Sequence, residues 1–239
     1  MTKKDIKLAL NPGVELKPTA APGICRAVVI DADKRFDLTW DRFLRLHRTA
    51  EAVKQGIKTS QSILDVGGFD GALALFLPQY DIDVLDPITT GGTGLSITTE
   101  PYDVVVSIDA IEHVAPEERQ SFLEQLCKVT RHSCFINFPG HHTAAAQKLI
   151  FALTNNPLVK EHVEWPLPDV DYVKQHLESA GFLVEAQGHS SLSQWISQYL
   201  LQTVAPDLAA RANRHLLEHH LEEPIGTHLY DLVIGRRVA

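Results

Sequence analysis

A buried strand that breaks into a glycine-rich turn is the feature that most limits how this chain can fold. The run Ile63-Leu64-Asp65-Val66 is followed directly by Gly67-Gly68-Phe69-Asp70-Gly71. Glycine lets the backbone turn tightly beneath a ligand. The apolar run 72–77 after it predicts a helix whose free N–H groups face that ligand. The turn therefore predicts a βα unit that binds a nucleotide-type cofactor at its tip.

The next two strands follow in the order that such a fold requires. Residues 81–86 predict a strand that ends in the carboxylate of Asp86, where an acidic side chain can accept hydrogen bonds from the hydroxyls of a ribose. Residues 102–114 predict a further buried strand with polar residues at its carboxyl end. Together with the glycine turn, these strands favour an adenosine-containing ligand.

The remaining periodicities extend the alternation of strands and helices. Apolar residues at three- and four-residue spacing predict helices over 38–55, 116–128 and 169–180, and two more around 195–204 and 208–221. Apolar runs predict strands over 134–138, 182–186 and 228–234.

Three segments together resemble the class I S-adenosylmethionine-dependent methyltransferases, of the broad group that includes the ubiquinone-biosynthesis O-methyltransferases. The segments are LDVGGFDG at 64–71, VLDP at 84–87 and YDVVVSIDAIEHV at 102–114, and the resemblance covers residues 60–140. A dehydrogenase is the alternative user of such a turn, but it requires a G-x-G-x-x-G spacing that this turn does not have.

The resemblance implies a fold and a cofactor. The fold is a Rossmann-like, doubly wound α/β architecture with a mostly parallel seven-stranded sheet, an antiparallel last strand and helical inserts. The cofactor is S-adenosylmethionine. The implied cofactor-binding residues are Asp65, Gly67, Gly68 and Gly71 at the methionine end, Asp86 on the ribose, and Ile108 and Asp109 at the border of the cofactor.

We expect one domain over residues 1–239, because the length and the 44% hydrophobic content support one sizeable core. Its expected parts are an N-terminal segment with a cap helix (1–57), a cofactor-binding core (58–139) and two inserts (140–168 and 189–226). The inserts lie where loops surround the ligand of such a sheet, so they are expected to form the acceptor pocket or an interface.

Two histidines are the predicted catalytic residues. A hydroxyl acceptor gains from a base with a pKa near neutrality, which makes histidine the natural choice. His113 follows one parallel strand and His141 follows the next, so both fall at the sheet edge where acceptor and methyl group would meet. The alternatives are that His113 caps a helix and that His141 lies in a solvated loop.

A divalent metal is a second hypothesis, because the run Asp109-x-x-Glu112-His113 is similar to the acid-x-x-Glu-His run of two families. The ubiquinone-type O-methyltransferases and the small-RNA 2′-O-methyltransferases bind a metal through it, with glutamate where this chain has Asp109. A metal would lower the pKa of the acceptor hydroxyl. His215 and His219 also share a helical face, for which a solvated surface is the better interpretation.

Charge and cysteine content exclude several partners. The net charge is −8 with no dense Lys/Arg tract, which argues against nucleic acid, and Arg42, Arg45 and Arg48 are expected on a solvated helix face. The three cysteines have no zinc-like spacing, as expected of a reducing cytoplasm. No apolar stretch reaches the roughly 20 residues that a membrane span needs.

The leading interpretation is an enzyme that transfers a methyl group from S-adenosylmethionine to an oxygen or nitrogen of a small molecule, such as a sugar, a phenol or a secondary metabolite. A homodimer is left open. The alternative is a non-catalytic partner subunit with the same fold, suggested by Phe69 in the turn and by the short segment between Asp86 and Tyr102. Affinity for the cofactor distinguishes the two.

Overall fold

The computed structural model describes residues 10–58, 61–92, 94–95, 100–222 and 226–237. The strands are β1 (Val14–Pro18), β2 (Cys25–Val29), β3 (Ile63–Val66), β4 (Ile82–Leu85), β5 (Tyr102–Ile108), β6 (Thr130–Pro139), β7 (Phe182–Ser191) and β8 (His228–Arg237). The helices are α1 (Trp40–Gly56), α2 (Arg119–Lys128), α3 (Ala144–Thr154), α4 (Pro157–Glu164), α5 (Val170–Ser179), α6 (Leu192–Val204) and α7 (Pro206–His219).

All eight strands form one sheet in the order β1-β2-β4-β3-β5-β6-β8-β7. The four central strands β4, β3, β5 and β6 are parallel, so Ile63 lies beside Ile82 on one side and Val104 on the other. The predicted α/β doubly wound class is confirmed, and the last strand is antiparallel as expected. The sheet of the described residues differs from the prediction in having eight strands rather than seven.

An N-terminal β-hairpin supplies the additional strands. β2 pairs antiparallel with β4, with Cys25 beside Val84 and Arg26 beside Asp83. The Arg26 guanidinium lies 2.5 Å from the Asp83 carboxylate and 3.1 Å from that of Asp81. The hairpin therefore covers the outer edge of β4.

The turn after β3 does not lead into the predicted helix. Residues 72–77 form only a single 3-10 turn, Ala72–Leu75, whose four side chains are all buried. Proline disfavours the helical conformation of the residue before it, so Pro78 stops a helix within two turns. The 15 residues that separate Val66 from Ile82 leave little length for more.

Helices cover both faces of the sheet. On one face α1, α6 and α7 bury Phe43, Trp195 and Leu217, and on the other α2 and α5 bury Leu123 and Val173. These contacts produce the two apolar layers that a doubly wound fold needs. Among the described helices, none has the length and apolar character to cross a bilayer.

Candidate active site

The glycine turn lies at the carboxyl edge of the parallel strands, and its first two residues have no room for a side chain. Gly67 has a φ of +79°, and a Cβ there would lie 2.7 Å from the Cβ of Ala110. Gly68 lies against Asp65, whose carboxylate occupies the space that a Cβ on Gly68 would need. Both positions therefore require glycine, and the backbone of the turn stays bare.

Beside this turn lies Asp65, a buried carboxylate with one oxygen that accepts no hydrogen bond. Its residue is 1% exposed, and its buried Oδ1 atom has no hydrogen-bond partner. Burial, followed by the charges of Asp70 and Asp86, raises the pKa of Asp65 to about 7. A cation beside this carboxylate would stabilise its charged form.

The middle of the turn is held by the N-terminal segment and by α1. Phe69 has a φ of +48°, in the left-handed region that favours glycine. The buried Asp70 accepts hydrogen bonds from Arg42 at 2.6 Å and from the backbone N–H of Asn11 at 2.9 Å. The expectation of a solvated face is therefore wrong for Arg42.

Asp86, the predicted ribose ligand, caps its own loop. Its Oδ1 atom accepts hydrogen bonds from the backbone N–H groups of Ile88 at 2.9 Å and Thr89 at 3.0 Å. The Thr89 hydroxyl also donates to the carbonyl of Phe69, which ties this loop to the glycine turn. A ribose contact of Asp86 remains a prediction.

The other two predicted cofactor residues also lie at this edge. Gly71 has a φ of +74°, and a Cβ there would lie 2.9 Å from the Cβ of Ala27 in β2. Ile108 is the last residue of β5 and is 6% exposed. Their contacts to a cofactor remain predictions.

Four potential metal ligands meet just beyond β5. Asp109, with a φ of +58°, redirects the chain into the 3-10 turn Ile111–His113, and α4 brings His162 to the same place. One ligand atom from each of Asp109, Glu112, His113 and His162 lies within 4.8 Å of the others. Buried atoms without a partner are Asp109 Oδ1, both carboxylate oxygens of Glu112, and His162 Nδ1. We refer to these four residues as the β5-edge cluster.

A buried guanidinium supports the β5-edge cluster from α1. Arg45 lies 2.8 Å from Asp109 Oδ2 and 3.2 Å from Asp41 Oδ2, and it donates a hydrogen bond to the Tyr230 hydroxyl at 2.9 Å. Arg48 donates to the carbonyl of Leu221 at 3.1 Å. The expectation of a solvated face is wrong for both arginines, because each is bound to partners across the fold.

The charges of the cluster are unevenly distributed. Burial alone would raise the pKa of Asp109, but the Arg45 charge outweighs it and the pKa lies below its usual range. Burial, followed by the charge of Asp109, raises the pKa of Glu112 well above its usual range. Burial lowers the pKa of His162, so this imidazole is neutral at pH 7. Two adjoining buried carboxylates of this kind need a proton or a cation between them.

The two predicted catalytic histidines are not brought together. His113 belongs to the β5-edge cluster, and its ring centroid lies 5.3 Å from that of His162. His141 is exposed on the 3-10 turn His141–Thr143 and is not part of the cluster. Sequence reasoning missed His162 because α2, β6 and α3 separate it from His113 and it belongs to no local motif.

A cavity of about 470 Å³ opens on the other side of Arg45. It lies between the start of α1 and helices α6 and α7, and its aromatic lining comes from Phe36, Trp40, Trp195 and Tyr199. Asp41 lines the cavity and also binds Arg45, so one guanidinium separates the cavity wall from Asp109. The insert 189–226 thus provides one wall of a cavity next to the cluster.

Comparison with known proteins identifies the fold. The chain is similar to an O-methyltransferase family protein from Burkholderia thailandensis (14% identity, TM-score 0.52), with 87% of this chain covering 63% of that protein. It is similar to a plantazolicin methyltransferase in complex with S-adenosylhomocysteine (14% identity, TM-score 0.54, 87% and 89% covered). A cyclopropane synthase from Mycobacterium tuberculosis has 16% identity and a TM-score of 0.50, with 79% and 81% covered.

The chain spans less than two thirds of the length of the Burkholderia protein. No protein-family model matches the sequence, and no curated protein matches it either. At these identities the likeness concerns the fold, which is that of class I methyltransferases. The three similar structures differ in what they act on, so the fold leaves the acceptor open.

Proposed function

We propose that this chain, which has the fold of class I S-adenosylmethionine-dependent methyltransferases, is itself an enzyme that transfers a methyl group from S-adenosylmethionine to a small molecule. The acceptor atom is an oxygen or a nitrogen. One observation carries the proposal: the bare glycine turn and the β5-edge cluster lie at the same edge of the sheet. A donor site and an acceptor site would therefore adjoin.

The residues around the turn fit a cationic cofactor. The missing side chains of Gly67 and Gly68 let a ligand approach the backbone, and Asp65 offers a buried oxygen without a partner. S-adenosylmethionine supplies a methyl group on a sulfonium, so the chemistry depends mainly on alignment of the acceptor. Asp65 would lie at its cationic methionine end, and the oxygen of Asp86 that does not cap the loop would accept from the ribose.

The β5-edge cluster fits a divalent metal ion. Asp109, Glu112 and His162 offer two carboxylates and one imidazole as a donor set, and a cation between them would replace the proton that the two carboxylates otherwise share. A bound metal would lower the pKa of an acceptor hydroxyl. Arg45 holds Asp109 in place, and His113, at the exposed side of the cluster and not needed as a ligand, is positioned to take up the proton of the acceptor.

We propose that the cavity between α1, α6 and α7 holds the body of the acceptor, with the reacting atom directed toward the β5-edge cluster beyond Arg45. Its four aromatic side chains favour a ring compound, since flat rings pack well against aromatic faces. Asp41 links the cavity to the cluster through Arg45. A phenol fits this combination better than an open-chain sugar derivative does.

Titration calorimetry with S-adenosylmethionine and S-adenosylhomocysteine, with NAD as a negative control, tests the cofactor. We expect micromolar binding of the first two compounds only. Asp86→Ala is expected to weaken binding by at least about tenfold, because one ionic hydrogen bond contributes about 1.5–3 kcal/mol. The matched control is Asp171→Ala, an exposed aspartate on α5. Equal affinities of the two variants would exclude the ribose role of Asp86.

The metal is tested by direct binding and by turnover. After treatment with a chelator, a phenolic acceptor is expected to be methylated slowly, and Mg²⁺ or Mn²⁺ is expected to restore the rate. Glu112→Gln and His162→Gln should lose Mn²⁺ binding in electron paramagnetic resonance titrations, whereas His141→Gln, outside the cluster, should retain it. Turnover that is insensitive to chelation would contradict a catalytic metal.

A non-catalytic partner subunit is the second candidate, and the glycine turn itself favours it. Phe69 occupies a left-handed backbone position, and hydrogen bonds from Thr89 and Asn11 hold the turn to neighbouring loops. These contacts could serve only to fix the turn as part of the scaffold of a subunit that binds no cofactor. Failure to bind either S-adenosylmethionine or S-adenosylhomocysteine in the calorimetric experiment would support this candidate.

A further inference from the structure

A second group of metal-binding side chains lies at the junction between the end of β6 and the start of β8. His142 lies on the 3-10 turn after β6, His228 is the first residue of β8, and Asp231 lies three residues later in β8. One ligand atom from each of the three lies within 4.8 Å of the others. None of the three belongs to the β5-edge cluster.

Hydrogen bonds already orient the two histidines. His142 Nε2 lies 2.8 Å from the carbonyl oxygen of His228, so Nε2 carries the proton and donates, and the lone pair is left on Nδ1. His228 Nε2 lies 2.9 Å from Asp231 Oδ1. A metal-binding histidine usually donates its other ring N–H to a carbonyl or carboxylate, because this hydrogen bond fixes the tautomer and the orientation of the ring.

Two glycines provide the space for these groups. A Cβ on Gly140 would lie 2.7 Å from His142 Nδ1 and 2.6 Å from Asp231 Oδ2, so both ligand atoms point toward the same place. A Cβ on Gly188 would lie 2.5 Å from the His228 ring. Gly140 has a φ of −64°, which any residue can adopt. Residue 140 is therefore glycine because the side chains of His142 and Asp231 leave no space for a Cβ, and its backbone conformation does not require glycine.

We propose that His142, His228 and Asp231 bind a divalent transition metal of the zinc class, in a site separate from the β5-edge cluster. The ligands are His142 Nδ1, His228 Nε2 and an oxygen of Asp231. Imidazole with one carboxylate suits Zn²⁺, and with three protein ligands the exposed side of His142 leaves a position for water. On binding, the proton of His228 Nε2 passes to Nδ1 through solvent, and the metal replaces the hydrogen bond to Asp231.

Such an ion would link two segments that lie far apart in the chain. The 3-10 turn His141–Thr143 would be joined to the first residues of β8, next to Tyr230, whose hydroxyl binds Arg45. The inference does not depend on methyl transfer, so either proposal can fail alone.

The test is Zn²⁺ binding to the full chain by calorimetry, with Co²⁺ absorption as a spectroscopic readout. His142→Ala and Asp231→Asn are each expected to raise the dissociation constant for Zn²⁺ roughly 100-fold or more, as loss of a direct ligand exceeds the 10–100-fold effect of removing its supporting partner. Gly140→Ala should also weaken Zn²⁺ binding, because the added Cβ would displace His142 and Asp231. Gly56→Ala is the control, because a Cβ has space there, and it should not change Zn²⁺ binding.

Two histidine variants from other places exclude the competing sites. His162→Gln removes one ligand of the β5-edge cluster. His215→Ala removes a histidine of α7 whose Nε2 atom lies 3.3 Å from Nε2 of His220, the residue after α7. Both variants should retain the Zn²⁺ site and its Co²⁺ spectrum. Because the β5-edge cluster can also take Zn²⁺, the decisive titrations use His162→Gln as the parent chain. The proposal is overturned if Zn²⁺ binding of that parent survives His142→Ala and Asp231→Asn, or if it is absent from the parent or lost in His215→Ala.

Discussion

Replacement of Asp65 by asparagine should make the protein more stable at high pH and leave it unchanged at low pH. The pKa of Asp65 is about 7 in the folded chain against an ordinary value of 3.8. Between these values the folded state holds a proton that the unfolded state releases, so the wild-type chain loses stability as pH rises. Each pKa unit corresponds to about 1.4 kcal/mol, which gives an upper limit of about 4 kcal/mol above pH 7.

Urea denaturation of both proteins at pH values from 4 to 8 measures this effect. The free energy of unfolding of Asp65→Asn minus that of the wild-type chain should increase by about 1.4 kcal/mol per pH unit up to pH 7 and then level off. Asp81→Asn, at an exposed aspartate before β4, controls for loss of a carboxylate from the sequence. A difference that is flat with pH would refute the argument that burial holds the proton on Asp65.

The same proton offers a second readout if S-adenosylmethionine binds beside Asp65. A cation there favours the carboxylate, so binding near pH 7 should release a fraction of a proton. Calorimetric titrations in two buffers with different ionisation enthalpies measure that release, and Asp65→Asn should abolish it.

Three further perturbations follow from the structure. Arg45→Met leaves the charge of Asp109 buried without its guanidinium, so urea denaturation should show a loss of about 3–5 kcal/mol. Gly71→Ala should cost about 1–2 kcal/mol more than Gly181→Ala by the same assay, since φ is positive at both but only Gly71 has neighbours within 4 Å. Burial lowers the pKa of His189 to about 3, so the free energy of unfolding of the wild-type chain minus that of His189→Gln should fall by about 1.4 kcal/mol per pH unit below pH 6.5.

Local patterns predicted the elements well because burial of one face imposes a period on the sequence. The predicted helix over 38–55 corresponds to α1, and the predicted strand over 81–86 contains β4. No strand was predicted in the N-terminal segment, because the pairing of Cys25 with Val84 is a long-range contact that leaves no local period. The helix expected after the glycine turn was wrong because the apolar run is buried within one 3-10 turn before Pro78.

Three of the four residues of the β5-edge cluster were predictable from the sequence. Asp109, Glu112 and His113 lie within five consecutive residues, and their spacing identified them as a unit. His162 joins them only because α4 folds back over the end of β5, and Arg45 joins them from an earlier helix. An arginine row on an amphipathic helix is usually solvated, and only the tertiary structure shows that Arg42 binds Asp70 and Arg45 binds Asp109.

The N-terminal hairpin also has a consequence for the order in which the chain folds. It is synthesised before α1 and β3, whereas β4, the strand beside which it finally lies, is synthesised after them. Until then the inner edge of β2 has no partner, while on β1 the charged pair Glu15 and Lys17, 3.3 Å apart, discourages pairing with other chains. A chain that begins after residue 30 would leave the buried strand β4 as a bare edge, and such a fragment should self-associate rather than remain monomeric.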